Sequence, residues 1–175
     1  MIPPLPGESH TCKDCRLAYS DVDVASAVEL ISKIPSRVRA LITAAPSGLL
    51  RHRPAAGVWS VTEYACHLRD VYVTSTIRLH RARTEDRPVL EPMLNDLRAR
   101  RFRYNDASID AVLDELRSAV DGCIEEVGRF GAADWQRVVT RLPGEYRTAL
   151  WLVRHAAHEG VHHVADITHG LIEPR

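Results

Sequence analysis

An all-α helical bundle is the fold class that this 175-residue sequence predicts, and three observations predict it. Apolar residues recur at helical spacing through four or five segments, Gly/Pro turn signals separate those segments, and no run reads convincingly as a strand. The length suits one domain, large enough to bury a core without staples. The bundle is expected over residues 21–175. A non-helical, cysteine-containing extension, residues 1–20, should precede it.

The first helix is expected over residues 22–45, where Val24, Ala27, Val28, Leu30, Ile31 and Ile34 continue as Val38, Leu41 and Ile42. Pro35 either kinks this helix or opens a second one, and Pro46-Ser-Gly48 stops it. The second helix has the plainest start. Ser60-Val-Thr-Glu63 is a capping box, in which hydroxyl and carboxylate reciprocally satisfy backbone N–H groups, and Trp59 and Tyr64 can close as a hydrophobic staple. This helix should run to about Thr84, before Pro88. Residues 85–105 then read as a long connection with two prolines and a basic run from Arg98 to Arg103. Asp106 or Ser108 caps a third helix, whose apolar face includes Val112, Leu116, Val120 and Cys123 and which ends at Phe130-Gly131. After a looser link through Leu142-Pro-Gly144, Thr148 caps the last helix, from residue 149 to about 171.

Charge excludes two classes of partner. Lys+Arg and Asp+Glu both number 23, so the chain is formally neutral. A nucleic-acid binder needs a surplus of basic residues to meet phosphates, and so does a binder of anionic membranes. No apolar run approaches the roughly 18–20 residues of a membrane span. The amino-terminal residues carry neither the basic nor the apolar segment of a signal peptide. A cytoplasmic location is therefore expected, where a CxxC more often holds metal or cycles redox than forms a structural disulfide.

Nine histidines are more than packing requires. In the last helix His155, His158, His162, Asp166 and His169 follow at steps of three, four, four and three, so their side chains share one face. His158 and His162 have the spacing that lets two imidazoles reach one cation, and with Glu159 they spell HExxH. A zinc-protease reading is set aside, because such enzymes align substrate along a sheet edge and no strand is expected. Glu159 adjoins a ligand and is a candidate general base. A catalytic divalent site typically takes three protein ligands and keeps a position open. The candidate third ligand is His67, one turn past the capping box. Asp70 on its face, and Asp166 on the last helix, are carboxylates that could orient the imidazoles. His163 points about 100° away from His162 and does not share its metal. A lone histidine on an apolar face usually belongs to core or surface. Several in register beside acids would be costly to bury without partners for their polar atoms.

The cysteines suggest a second site. His10-Thr-Cys12-Lys-Asp-Cys15 contains a CxxC, half of a structural zinc site. Cys66 and His163, each adjacent to a proposed ligand, are the candidates to complete it if the amino terminus folds back. A redox CxxC is the rival, but that motif normally follows a strand and opens a helix. Cys123 reads as core packing.

Two segments, Trp59-Ser-Val-Thr-Glu-Tyr-Ala-Cys-His67-Leu-Arg-Asp-Val71 and His158-Glu-Gly-Val-His162-His163-Val-Ala-Asp-Ile167, resemble the DinB/YfiT-like metal-binding four-helix bundles. The resemblance covers about residues 41–171. It implies a three-histidine divalent-metal site, which falls on His67, His158 and His162. It also implies a metal-dependent enzyme of thiol chemistry, because several relatives look like transferases or isomerases that use bacillithiol or mycothiol. Arginine is favoured heavily over lysine, of which only Lys13 and Lys33 occur. With abundant Ala and Val, this suggests a GC-rich genome and makes mycothiol the better candidate. On this reading zinc, with nickel or iron as alternatives, activates a small thiol that attacks a small electrophile, whereas water in its place makes a hydrolase. Arginines 98–103 or Arg154 could hold an anionic substrate. The sequence departs from the family in having Asp166, where a Gln is usual, and in its amino-terminal Cys pair. The alternative is a non-catalytic module whose metals fix the fold or sense metal or redox state, or a stress-related bundle that forms a homodimer. An open coordination position would favour the enzyme, and a fully protein-ligated metal the module.

Overall fold

Four long helices build the bundle in a computed structural model that describes residues 4–172. They are α1 (Val24–Ala44), α2 (Val61–Thr84), α4 (Ile109–Val127) and α5 (Ala149–Ile172), with a short α3 (Asn95–Arg101) between α2 and α4. The first three residues, part of the stretch read for a signal peptide, lie outside the described residues. Both α1 and α2 pack against α4 and α5. The consecutive pairs α1–α2 and α4–α5 thus face each other across the bundle's diagonals. Among the described residues no helix is long and apolar enough to cross a membrane.

Local chemistry starts these helices where the sequence places them. The Asp23 carboxylate accepts from Ser26 N at 2.7 Å, and Ala27, Ile31, Ile34 and Val38 of α1 are fully buried. One helix runs through Pro35. At α2 the capping box is complete: Glu63 N donates to Ser60 Oγ at 3.2 Å, and Ser60 N donates to Glu63 Oε2 at 2.9 Å. The Trp59 and Tyr64 rings close over it with centroids 5.5 Å apart. Thr148 Oγ1 accepts from Trp151 N at 3.0 Å and caps α5. Ser108 precedes α4 without a side-chain cap bond, and Asp106 is paired with Arg103 instead.

Two elements depart from the sequence reading. The connection over residues 85–105 contains α3, whose acidic first turn and basic last turn complement the helix dipole. Seven residues with one buried position, Ala99, present no periodicity to read. A hairpin also occurs, β1 (Val138–Thr140) against β2 (Tyr146–Thr148), paired antiparallel with Val139 opposite Arg147. Gly144 turns it with φ 84°, in the region that favours glycine. Strands of three residues are too short to show alternation, so none was expected.

Two features position α5. At Gly160 it approaches α1 and α2 so closely that a Cβ would collide with Tyr72 Oη and lie 2.8 Å from Ile34 Cγ1. Along another side runs the amino-terminal extension. Arg147 Nη2 donates to Leu5 O at 2.8 Å, Trp151 Nε1 donates to Gly7 O at 3.2 Å, and Glu8 Oε1 accepts from Thr148 N at 2.7 Å.

Candidate metal centre

Residues 158–163 read His-Glu-Gly-Val-His-His, which holds two pairs at i, i+4 spacing, 158/162 and 159/163. The pairs are one residue out of phase, about 100° apart around the helix. The structure sends them to different neighbours. Glu159 and His163 turn to α2 and meet His67, and the candidate ligand atoms of the three lie within 4.8 Å of one another. His67 Nε2 and His163 Nε2 each lie 3.4 Å from the same oxygen, Glu159 Oε2. His158 and His162 turn to the extension, where Cys12 and Cys15 complete a second group within the same distance.

The first group is buried by local features of α2. The staple residues wall it, with Trp59 5.1 Å from the His67 ring and Tyr64 5.3 Å from the His163 ring. His67 is 1% exposed. Asp166 Oδ2 lies 2.7 Å from His163 Nδ1, which leaves Nε2 to face Glu159. A carboxylate behind an imidazole is the usual arrangement for a metal-ligating histidine. Burial pushes the His67 imidazole below its ordinary range, so it stays neutral. Burial also opposes charge on His163, yet Asp166 and Glu159 beside it raise it to about 9. Glu159, despite burial, is held well below the carboxylate range by His155, His163 and His67.

These donors fit a divalent ion. Two imidazole nitrogens and one carboxylate oxygen make a set found in catalytic zinc sites. A tetrahedron with metal–ligand distances of about 2.1 Å has an edge of about 3.4 Å, which matches both nitrogen–oxygen separations.

The structure does not bring the expected trio together: His67 lies with Glu159 and His163, while His158 and His162 lie with Cys12 and Cys15. Glu159, expected as a base beside the ligands, offers its carboxylate among the candidate ligand atoms. Spacing shows which residues share a face; it does not show which face meets α2, and the packing around Gly160 decides that. Cys66 and His163 do not complete the CxxC. The Cys66 thiol is buried in the core, donates to Tyr104 O at 3.7 Å, and is pushed up to about 11 by burial. Cys123 is fully buried, and burial pushes its thiol up to about 12. Asp70, expected to orient His67, is engaged by other groups. It accepts from Arg69 Nε at 2.8 Å, Arg98 Nη2 at 2.6 Å and the Tyr104 hydroxyl, and so ties α3 to α2.

Glu159 opens onto a cleft of about 480 Å³, walled by His155, Arg78, Arg141 and the extension's Pro4 to Pro6. Of the arginines expected to hold an anion, those of the 98–103 run and Arg154, Arg98 is engaged by Asp70 and Arg154 by Val22 O at 2.7 Å. The guanidinium groups at the cleft are Arg78, which donates to Glu91 O, and Arg141, which is paired with Glu145. Arg78 was legible in principle, because it follows His67 by eleven residues, about three helical turns.

YfiT from Bacillus subtilis, a probable metal-dependent hydrolase with an unusual four-helix bundle topology, shares this fold. The TM-score is 0.78 at 16% identity, over 85% of this chain and 87% of that one. No curated protein matches the chain in sequence. A family model described as the DinB superfamily matches residues 30–167. That match spans three of the five helices in full and most of the other two, α1 and α5, and carries His67, Glu159 and His163, and with it the chain belongs to the DinB superfamily.

Proposed function

We propose that this protein is a metal-dependent enzyme whose ion is held by His67, Glu159 and His163. Its substrate is a small anionic electrophile, and its nucleophile is a low-molecular-weight thiol, mycothiol by preference, or water. One observation carries the reading: a carboxylate oxygen shared between two imidazole nitrogens at 3.4 Å, on a residue that lines a cleft. A divalent ion there, zinc ahead of nickel or iron, supplies the Lewis acidity that makes a thiol or water nucleophilic at neutral pH.

The chain's own groups supply the rest. Asp166 accepts the Nδ1 proton of His163 and so turns Nε2 toward Glu159 and the ion. Trp59 and Tyr64 exclude water from the ligand side. His155 lies on the cleft wall with Nδ1 2.9 Å from the Tyr19 hydroxyl and Nε2 3.8 Å from Glu159 Oε1. It is placed to pass a proton to or from a bound substrate. Arg78 stands on that wall with Nη2 on Glu91 O, while Arg141 beside it is paired with Glu145, so Arg78 is the guanidinium placed to meet a carboxylate or phosphate. The description of YfiT as a probable metal-dependent hydrolase supports the water branch, and the family resemblance supports the thiol branch.

The test is to strip purified protein of metal, restore zinc, nickel or ferrous iron, and assay small carboxylated esters, amides and epoxides with and without mycothiol. Turnover should return with metal in the wild type and be lost in His67→Ala. Turnover indifferent to chelation, or equal in His67→Ala, would overturn the proposal.

A further inference from the structure

We infer that Cys12, Cys15, His158 and His162 form a second, closed zinc site that clamps the amino-terminal extension onto α5. The candidate ligand atoms of all four lie within 4.8 Å of one another. Cys12 Sγ lies 3.5 Å from His162 Nδ1. A tetrahedral zinc, about 2.3 Å from sulfur and about 2.0–2.1 Å from nitrogen, has a sulfur–nitrogen edge of about 3.6 Å.

An independent observation points to a missing ligand. The His158 side chain is nine-tenths buried, its Nδ1 is 3.2 Å from the Tyr19 hydroxyl, and its Nε2 is buried with no hydrogen-bond partner. A buried polar atom left without a partner is destabilising, so few survive in native structures without an explanation. A cation at this point supplies one. The hydroxyl of Tyr19 serves both His155 and His158, donating to one ring nitrogen and accepting from the other. On the second ligand histidine, His162 Nε2 faces Asp166 Oδ2 at 3.6 Å. Both rings are therefore oriented from behind.

The cysteines sit in a tight turn that presents them together. Cys12 N donates to Leu17 O at 3.0 Å and Arg16 N donates to Cys12 O at 3.1 Å, while Thr11 and Ala18 form an antiparallel bridge. Arg16 closes the turn at φ 62°, a conformation that non-glycine residues keep only when their surroundings enforce it. Two thiolates and two imidazoles leave no position for water, which is the pattern of a structural rather than a catalytic zinc. Loading releases the two thiol protons to solvent. The clamped segment continues into Pro4 to Pro6, one wall of the cleft, so the ion fixes that wall in place.

Cobalt substitution of the full-length protein tests this separately from the function proposed above. The wild type should show thiolate-to-cobalt charge-transfer bands, which a His/Glu site cannot produce. The bands should persist in His67→Gln and vanish when Cys12→Ser and Cys15→Ser are combined. A measurement on unmutated protein guards against misfolding: zinc-loaded wild type should alkylate at Cys15 on the order of tenfold more slowly than chelated protein. Wild type without thiolate bands, bands that survive the double serine variant, or bands lost in His67→Gln would overturn the site. So would alkylation at one rate with and without zinc, or a Cys12–Cys15 disulfide in the purified chain.

Discussion

Replacing Gly160 by alanine tests what sets the position of α5. In an open helix the change would stabilise by about 1 kcal/mol, because alanine is the better helix former. Here the new Cβ would collide with Tyr72 Oη and lie 2.8 Å and 3.0 Å from two carbons of Ile34, where ordinary contact begins at 3.4 Å. Neither neighbour has room to yield. Both are fully buried, and the Tyr72 hydroxyl donates to Ala156 O at 3.4 Å. Overpacking costs about 1–3 kcal/mol, and three clashing atoms argue for the upper end. Subtracting the helix gain leaves a net loss of about 2 kcal/mol. In a chain of this size that lowers Tm by about 4–8 °C. Displacing α5 also moves Glu159 and His163 from His67, and His158 and His162 from the cysteines, so zinc should be held less tightly. Urea denaturation with and without zinc reads both effects. A variant as stable as the wild type, with unchanged zinc content, would refute the reasoning.

Further predictions follow from single contacts. Asp166→Asn frees the His163 ring and should weaken metal binding at His67, Glu159 and His163 about 10–100-fold, measured by chelator competition; unchanged affinity would count against its orienting role. Burial alone would raise Asp70, but Tyr104, Arg98 and Arg69 hold it below the usual carboxylate range. Its contribution is then complete above the unfolded value, about 3.9, and is lost as pH falls through the lower folded value. Asp70→Asn should cost about 1–3 kcal/mol at neutral pH, discounted because Arg98 is 37% exposed, and flatten the acid limb of a Tm–pH curve. Parallel curves for variant and wild type would contradict this. Arg78→Ala should raise KM for an anionic substrate about tenfold and leave metal content alone, as a charge-assisted hydrogen bond would; a change confined to kcat would place Arg78 elsewhere. Ser60→Ala removes one half of the capping box and should cost about 1 kcal/mol in urea denaturation, whereas no loss would mean that packing alone holds that end of α2.

Where structure is made by near neighbours, the sequence was readable. The start of α2 rests on Ser60 and Glu63, and that of α5 on Thr148, each bonded within three residues. The buried stripe of α1 appears as its repeat of apolar residues. Other elements exist because of distant partners. Helix α3 is fastened by Arg98 to Asp70, 28 residues away, and β1 is held on its other side by Leu90 N donating to Thr140 O at 2.7 Å. Neither contact leaves a mark in local spacing.

The site divides along the same line. The sequence by itself determined that α5 carries two donor pairs, 158/162 and 159/163, because a helix turns a fixed 100° or so per residue. It also placed His67 one turn past a capping box and two cysteines in a short loop. Only the tertiary structure decided which pair meets which partner. A helix can rotate about its own axis without changing any internal hydrogen bond, so that angle is set from outside. Gly160 against Tyr72 and Ile34 sets it on one side, and the extension docked along α5 sets it on the other. That rotation gives Glu159 and His163 to His67, and His158 and His162 to Cys12 and Cys15.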